Sequence, residues 1–152
     1  MQATILEILR YADITPLDYR CTTEDVRIDG IIIPKDTIVF NIVTEVMKGS
    51  YWKEGDTFNP SRFLDEAMLS PPDKRLIPYL MGKRSCPGQN LDNMQLFLYF
   101  TRILQLFHLQ TEVGGVLPED TFVPGITSSP RPFKIRFSPR KVKQENIKCD
   151  KE

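Results

Sequence analysis

From Lys48 to Asn90 the chain loses all hydrophobic periodicity, and no other stretch so limits the folds open to it. Pro60, Pro71, Pro72, Pro78 and Pro87 punctuate the run, with Gly, Asp and Ser recurring between them, so no regular element of useful length fits. So long a coil is rare in a compact domain unless it is functional, wraps a ligand or is disordered. Disorder conflicts with Tyr51, Trp52, Phe58, Phe63 and Tyr79, because disordered segments are poor in aromatics. The segment is therefore expected to be coil ordered around a large apolar cofactor.

The flanks are more regular. Ile5 to Tyr11 reads as helix, although no Ser, Thr, Asp or Asn cap precedes a full periodic stretch, and Pro16 closes the segment. Val26 to Ile33, the turn Pro34-Lys35-Asp36 and Thr37 to Phe40 predict a β-hairpin, and Ile42 to Met47 predicts a helical turn. Leu91 to Phe107 is apolar on more than half its circumference, which predicts a well-buried helix. Val113 to Pro124 reads as loop, and Arg131 to Phe137 alternates as a half-buried strand. Lys141 onward is expected to be a solvated, frayed tail. There is no internal repeat, and 152 residues suit one domain.

Charge and cysteine usage remove several classes of function. Lys and Arg number 20 and Asp and Glu 20, so no basic footprint for nucleic acid exists. No apolar run approaches the roughly 18 residues of a membrane-spanning helix, and the amino terminus has no charged leader before an apolar block. Cys21, Cys86 and Cys149 lie far apart, an odd number that argues against a complete disulfide framework and for a reducing compartment. A zinc site would need all three cysteines and the lone His108 gathered from across the chain, and is not expected.

Chemistry concentrates in Tyr79-Leu-Met-Gly82-Lys-Arg84-Ser-Cys86-Pro87-Gly88, directly ahead of the long apolar helix. A cysteine alone is more often a small buried hydrophobe than a ligand. Here its surroundings favour the metal-ligating thiolate, with Pro87 marking a helix start and Arg84 supplying a cation. Gly82 and Gly88 are expected to allow the positive backbone angles and close approach that a loop pressed on a flat macrocycle requires.

The loop resembles the Phe-x-x-Gly-x-Arg-x-Cys-x-Gly haem loop of the cytochrome P-450 family, with Tyr79 in the Phe place. Glu7 and Arg10 resemble the Glu-x-x-Arg of the family's K helix, and Phe58-Asn-Pro60-Ser-Arg62-Phe63 its meander. The resemblance implies the carboxy-terminal part of a microsomal haem-thiolate monooxygenase. The fold is then mainly α with a small β part: K helix, β-hairpin, meander, haem loop, L helix and terminal β-hairpin. Residues 1–139 form the haem-ligating portion and 140–152 a charged, disordered tail.

By the same resemblance Cys86 is the axial thiolate of haem b, and Arg84, Tyr79, Gly82 and Gly88 complete the cofactor loop. Arg20, one residue short of the common spacing, is a second propionate donor. Glu7, Arg10 and Arg62 form a structural ion network. Ile14, Thr15, Leu17, Ile126 and Thr127, with Pro16 and Gly125 among them, face the substrate. Family membership further implies a small apolar organic substrate, an NADPH-dependent flavoprotein reductase as partner, and the cytoplasmic face of the endoplasmic reticulum membrane, reached by an amino-terminal anchor outside this chain. Asp92 stands where the family commonly has a small residue, and Met47 to Trp52 replaces its His-x-Asp-Pro run. No Ala-Gly-x-x-Thr-like string of the distal helix occurs, so this piece alone is expected to be inactive. A truncated haem-binding protein without turnover and a non-haem interaction module are the alternatives.

Overall fold

The computed structural model describes residues 1–64, 73–111, 115, 117, 119 and 121–140. Helix α1 (Gln2–Ala12) has Met1 at its amino end without a side-chain cap, as its sequence predicts. It stops where Asp13 turns left-handed at φ 44°. Such an angle costs Asp less than most residues, and Pro16 bars any continuation. Ala3, Ile5 and Leu9 are buried on this helix, but so are Glu7 and Arg10.

The irregular segment supplies the core that α1 needs. Trp52 and Phe63 pack with Ala3, their rings 5.8 Å apart, and Leu6 and Leu76 close the margin. Trp52 is buried without leaving its indole unpaired, because Nε1 donates to the Val46 carbonyl at 2.8 Å. Phe63 is carried by a single 3-10 turn, Pro60–Phe63, whose first residues are fixed by the Asn59 side chain accepting from Ser61 N–H. Coil expected to order around a large apolar cofactor is thus ordered, at Trp52 and Phe63, by packing against α1.

Among the described residues, four antiparallel pairs of strands follow the chain. Strand β1 (Leu17–Cys21) pairs with β4 (Ile38–Ile42), and β2 (Val26–Ile28) with β3 (Ile31–Ile33). The predicted hairpin across Pro34-Lys35-Asp36 is therefore wrong in its partners. The tight turn is Asp29-Gly30, both at positive φ (48° and 84°), the geometry of a two-residue hairpin turn whose twist matches the strands. Pro16 O accepts from Val43 and Thr44 N–H and so ties β1 to helix α2 (Val43–Lys48), the helical turn expected there.

Helix α3 (Gln89–Leu106) matches its predicted extent, but not its predicted burial. None of its residues is buried, and Leu98 and Tyr99 are about two-thirds exposed at 65% and 67%. Helix α1 lies along one side of it, the two forming an open apolar cleft with Ile5, Leu6, Met94 and Phe97, and Tyr79 reaches its first turn. Such contacts cannot cover a helix that is apolar on most sides. Pro87 also falls short of the helix: Gly88 is the cap and Gln89 the first helical residue.

Strand β5 (Phe107–Thr111) pairs with β8 (Ile135–Pro139), and β6 (Phe122–Val123) with β7 (Ser129–Pro130). Strand β8 begins at Ile135 instead of Arg131 and is mostly exposed, since its single partner strand leaves both faces open. Phe122 and Val123, read as loop, take part in the last short pair. The tail beyond Arg140, Cys149 included, lies outside the described residues.

Candidate functional site

Glu7, Arg10 and Arg62 meet as expected. Arg10 Nε donates to Glu7 Oε2 at 2.8 Å and its Nη2 to Oε1 at 2.9 Å, a two-pronged pair with both side chains fully buried. Arg62 Nε reaches Oε1 from the other side at 3.0 Å, and Asn59 N–H donates to the same oxygen at 2.8 Å. The remaining guanidinium hydrogens go to main-chain carbonyls: Arg10 to Met47, Gly55 and Thr57, Arg62 to Lys53, Glu54 and Thr57. Burial pushes the Glu7 carboxyl pKa up, but Arg10, the Asn59 amide and Arg62 together hold it below its ordinary value. The network thus ties α1 to the whole turn from Met47 to Arg62.

Gly55 shows how tightly this turn is drawn. A Cβ there would lie 1.9 Å from the Lys48 carbonyl oxygen, a main-chain atom that cannot step aside. Gly55→Ala is expected to destabilise the chain by about 1–3 kcal/mol or more through overpacking, read as a lowered denaturant midpoint.

The Cys86 loop is drawn from short turns. Leu80 N–H donates to Ile77 O, Ser85 N–H to Gly82 O across the 3-10 turn Gly82–Arg84, and Cys86 N–H to Tyr79 O at 2.9 Å. Gly82 has φ 76°, the positive angle expected of it. Gly88 does not: its φ is −85°, and what distinguishes it is position, because a Cβ there would stand 3.8 Å from Cys86 Sγ. Leu80 takes φ 60°, costly for a branched side chain with a Cβ, and nothing in the sequence marks it.

The Cys86 thiol is exposed. It borders a cavity of about 410 Å³ lined also by Ile14, Thr15, Tyr79, Arg84 and Asp92, with Leu9, Val43 and Met47 among the apolar walls. Arg84 makes no hydrogen bond or ion pair among the described residues and is exposed. Tyr79 Oη donates to Asp92 Oδ2 at 2.6 Å and lies 3.0 Å from Asn93 Oδ1. Burial, and then the neighbouring Asp92 and Cys86, push the Tyr79 hydroxyl pKa upward.

Other expected residues lie elsewhere. Arg20 is spent on Asp18 and on the Tyr19 carbonyl, and borders a separate cavity with Asp18, Asn41 and Met81. Leu17 is exposed on β1. Ile126 and Thr127 sit in the turn between β6 and β7, and Ser128 N–H donates to Ile14 O at 2.8 Å, fastening that turn to the segment after α1. Of the five residues expected to face substrate, only Ile14 and Thr15 share the Cys86 cavity. Among the described residues no three His, Cys, Asp or Glu side chains gather into a group that could hold a metal ion.

Comparison with known proteins agrees with this arrangement. The chain matches the family described as Cytochrome P450 over residues 1–137. It is 36% identical over 142 residues to farnesoate epoxidase of Bombyx mori, covering 93% of this chain and 29% of that protein. It is 34% identical to vitamin D(3) 25-hydroxylase of Sus scrofa, covering 91% of this chain and 28% of that protein. A zebra fish cytochrome P450 solved with abiraterone superposes with a TM-score of 0.82 at 25% identity, over 92% of this chain and 32% of that one. The chain therefore belongs to the cytochrome P450 family. It spans less than a third of the length of these relatives, and its helices and small sheets form part of their fold.

Proposed function

We propose that this chain is the thiolate-bearing part of a haem monooxygenase, with Cys86 as the residue that would ligate the iron of haem b. The observation that carries the reading is the exposed Cys86 thiol on a cavity shared with Arg84, which makes no ion pair among the described residues, and otherwise largely apolar walls. That donor set fits the group: one soft sulfur for iron, one planar cation for a propionate, and an apolar surround for the macrocycle. The missing side chain of Gly88 keeps the flank of the sulfur clear. Arg20, held by Asp18, is a weaker candidate for a second propionate.

When bound, haem supplies oxygen activation, which thiolate donation assists by weakening the oxygen–oxygen bond. The chain's own residues hold it. Cys86 N–H, anchored on Tyr79 O, fixes the ligand's main chain, and the Glu7 network fixes the coil that leads to the loop. Ile14 and Thr15 border the same cavity and are the proposed substrate-facing residues, with Leu17, Ile126 and Thr127 further out. Oxygen insertion is proposed for a protein of the relatives' full length. One atom of O2 enters a small apolar organic substrate and the other leaves as water, with two electrons from an NADPH-dependent flavoprotein reductase and two protons. Attachment to the cytoplasmic face of the endoplasmic reticulum membrane belongs to the same proposal. Among the described residues no helix is long and apolar enough to cross a membrane.

Haem titration followed by absorbance tests the reading. The chain should bind one equivalent; Cys86→Ser should bind at least about tenfold more weakly, about 1.4 kcal/mol, while Cys21→Ser, on exposed β1, should match the parent. Equal affinity in the Cys86 variant contradicts the assignment.

A further inference from the structure

Two residues depart from the family pattern around the Cys86 loop: Tyr79 where Phe is usual, and Asp92 where a small residue is usual. The structure brings the two departures together. The 2.6 Å hydrogen bond from Tyr79 Oη to Asp92 Oδ2 gives the hydroxyl its shorter acceptor and the carboxylate its donor. Without Asp92 the partly buried Tyr79 hydroxyl would keep only the longer contact to Asn93 Oδ1 at 3.0 Å, and without Tyr79 the Asp92 carboxylate would face a largely apolar cavity with no donor. The same Tyr79 holds Cys86 N–H through its carbonyl oxygen at 2.9 Å. One residue thus fastens the thiol-bearing loop by its main chain and the first turn of α3 by its side chain.

The pair also carries charge. Asp92 makes no ion pair among the described residues, and the cation sharing its cavity, Arg84, is not bonded to it. The Asp92 carboxylate, without an ion-pair partner among the described residues, thus stands on the cavity wall that also carries Cys86. A fixed anion near a metal favours the more positive oxidation state, and a site partly shielded from water transmits the effect better than bulk solvent.

We infer that Tyr79 and Asp92 act together as positioning residues for the thiolate ligand, fixing the loop against α3 and placing an anion that biases the bound iron toward its ferric state. The inference rests on the reading of Cys86 as the ligand. Asp92→Asn removes the charge and keeps an acceptor for Tyr79. In the haem-loaded full chain it should raise the reduction potential, increasing the ferrous-to-ferric ratio at fixed potential by roughly three- to tenfold, tenfold being about 59 mV for one electron. An unchanged potential with an intact thiolate spectrum overturns the inference and leaves the ligand assignment standing. Absence of thiolate ligation in the unaltered chain removes both. A haem-independent arm uses the unfolding of the apo chain. Tyr79→Phe and Asp92→Ala should each destabilise, while the double variant costs clearly less than their sum. Strict additivity contradicts the clasp even where haem loading fails.

Discussion

Glu7→Ala is expected to cost about 3–5 kcal/mol of folding stability, a large share of the roughly 5–15 kcal/mol that holds a domain together. The substitution removes the acceptor of four donors at once and leaves Arg10 fully buried without a counter-charge. Arg62→Ala should cost less, about 1.5–3 kcal/mol, because Arg10 continues to neutralise Glu7. In a double-mutant cycle the two losses should fall short of additivity by about 0.5–3 kcal/mol. Urea denaturation of the four proteins measures all three numbers. Full additivity would mean that Arg62 and Glu7 do not share an interaction.

Glu7 also gives stability a pH dependence whose sign follows from its environment. Its carboxyl pKa is depressed in the folded chain, so its contribution is fully present above the ordinary carboxylate value of 4.5. The contribution fades as pH falls through the lower folded value, because the unfolded chain then binds the proton more readily. Glu7→Gln should flatten this part of the stability profile.

Much of this site was legible because its chemistry is local in sequence. Glu7 and Arg10 stand three apart on one helix, and the spacing by itself fits a solvated pair; the match of Arg62 to a third motif made burial the better reading. Gly82 betrayed its positive φ by being glycine, but Gly88 was misread, since the absence of a Cβ near Cys86 Sγ is a matter of packing that no backbone rule reveals. The hairpin went wrong because Pro34-Lys35-Asp36 was preferred to Asp29-Gly30, the stronger turn signal of the two. The burial of α3 could not be read from its own residues: an apolar circumference records a need for neighbours, and the described residues leave most of that surface exposed. Arg20 is a different case, as Asp18 stands two residues before it on one face of β1 and the pair is local in sequence. Tyr79 and Asp92 were each visible as departures, yet that they satisfy one another needed the turn that brings position 79 against position 92.

The central claim is that Cys86 presents a thiolate to haem iron. Only an ionised sulfur donates enough charge to shift the haem spectrum in the way that marks this family, and a hydroxyl in its place does not. The direct measurement is the absorbance of the haem-loaded chain after dithionite reduction and addition of carbon monoxide. The account predicts the red-shifted Soret band of a thiolate-ligated ferrous complex, lost in Cys86→Ser and kept in Cys21→Ser and Cys149→Ser. A red-shifted band that survives Cys86→Ser, or no such band in the unaltered haem-loaded chain, would contradict it.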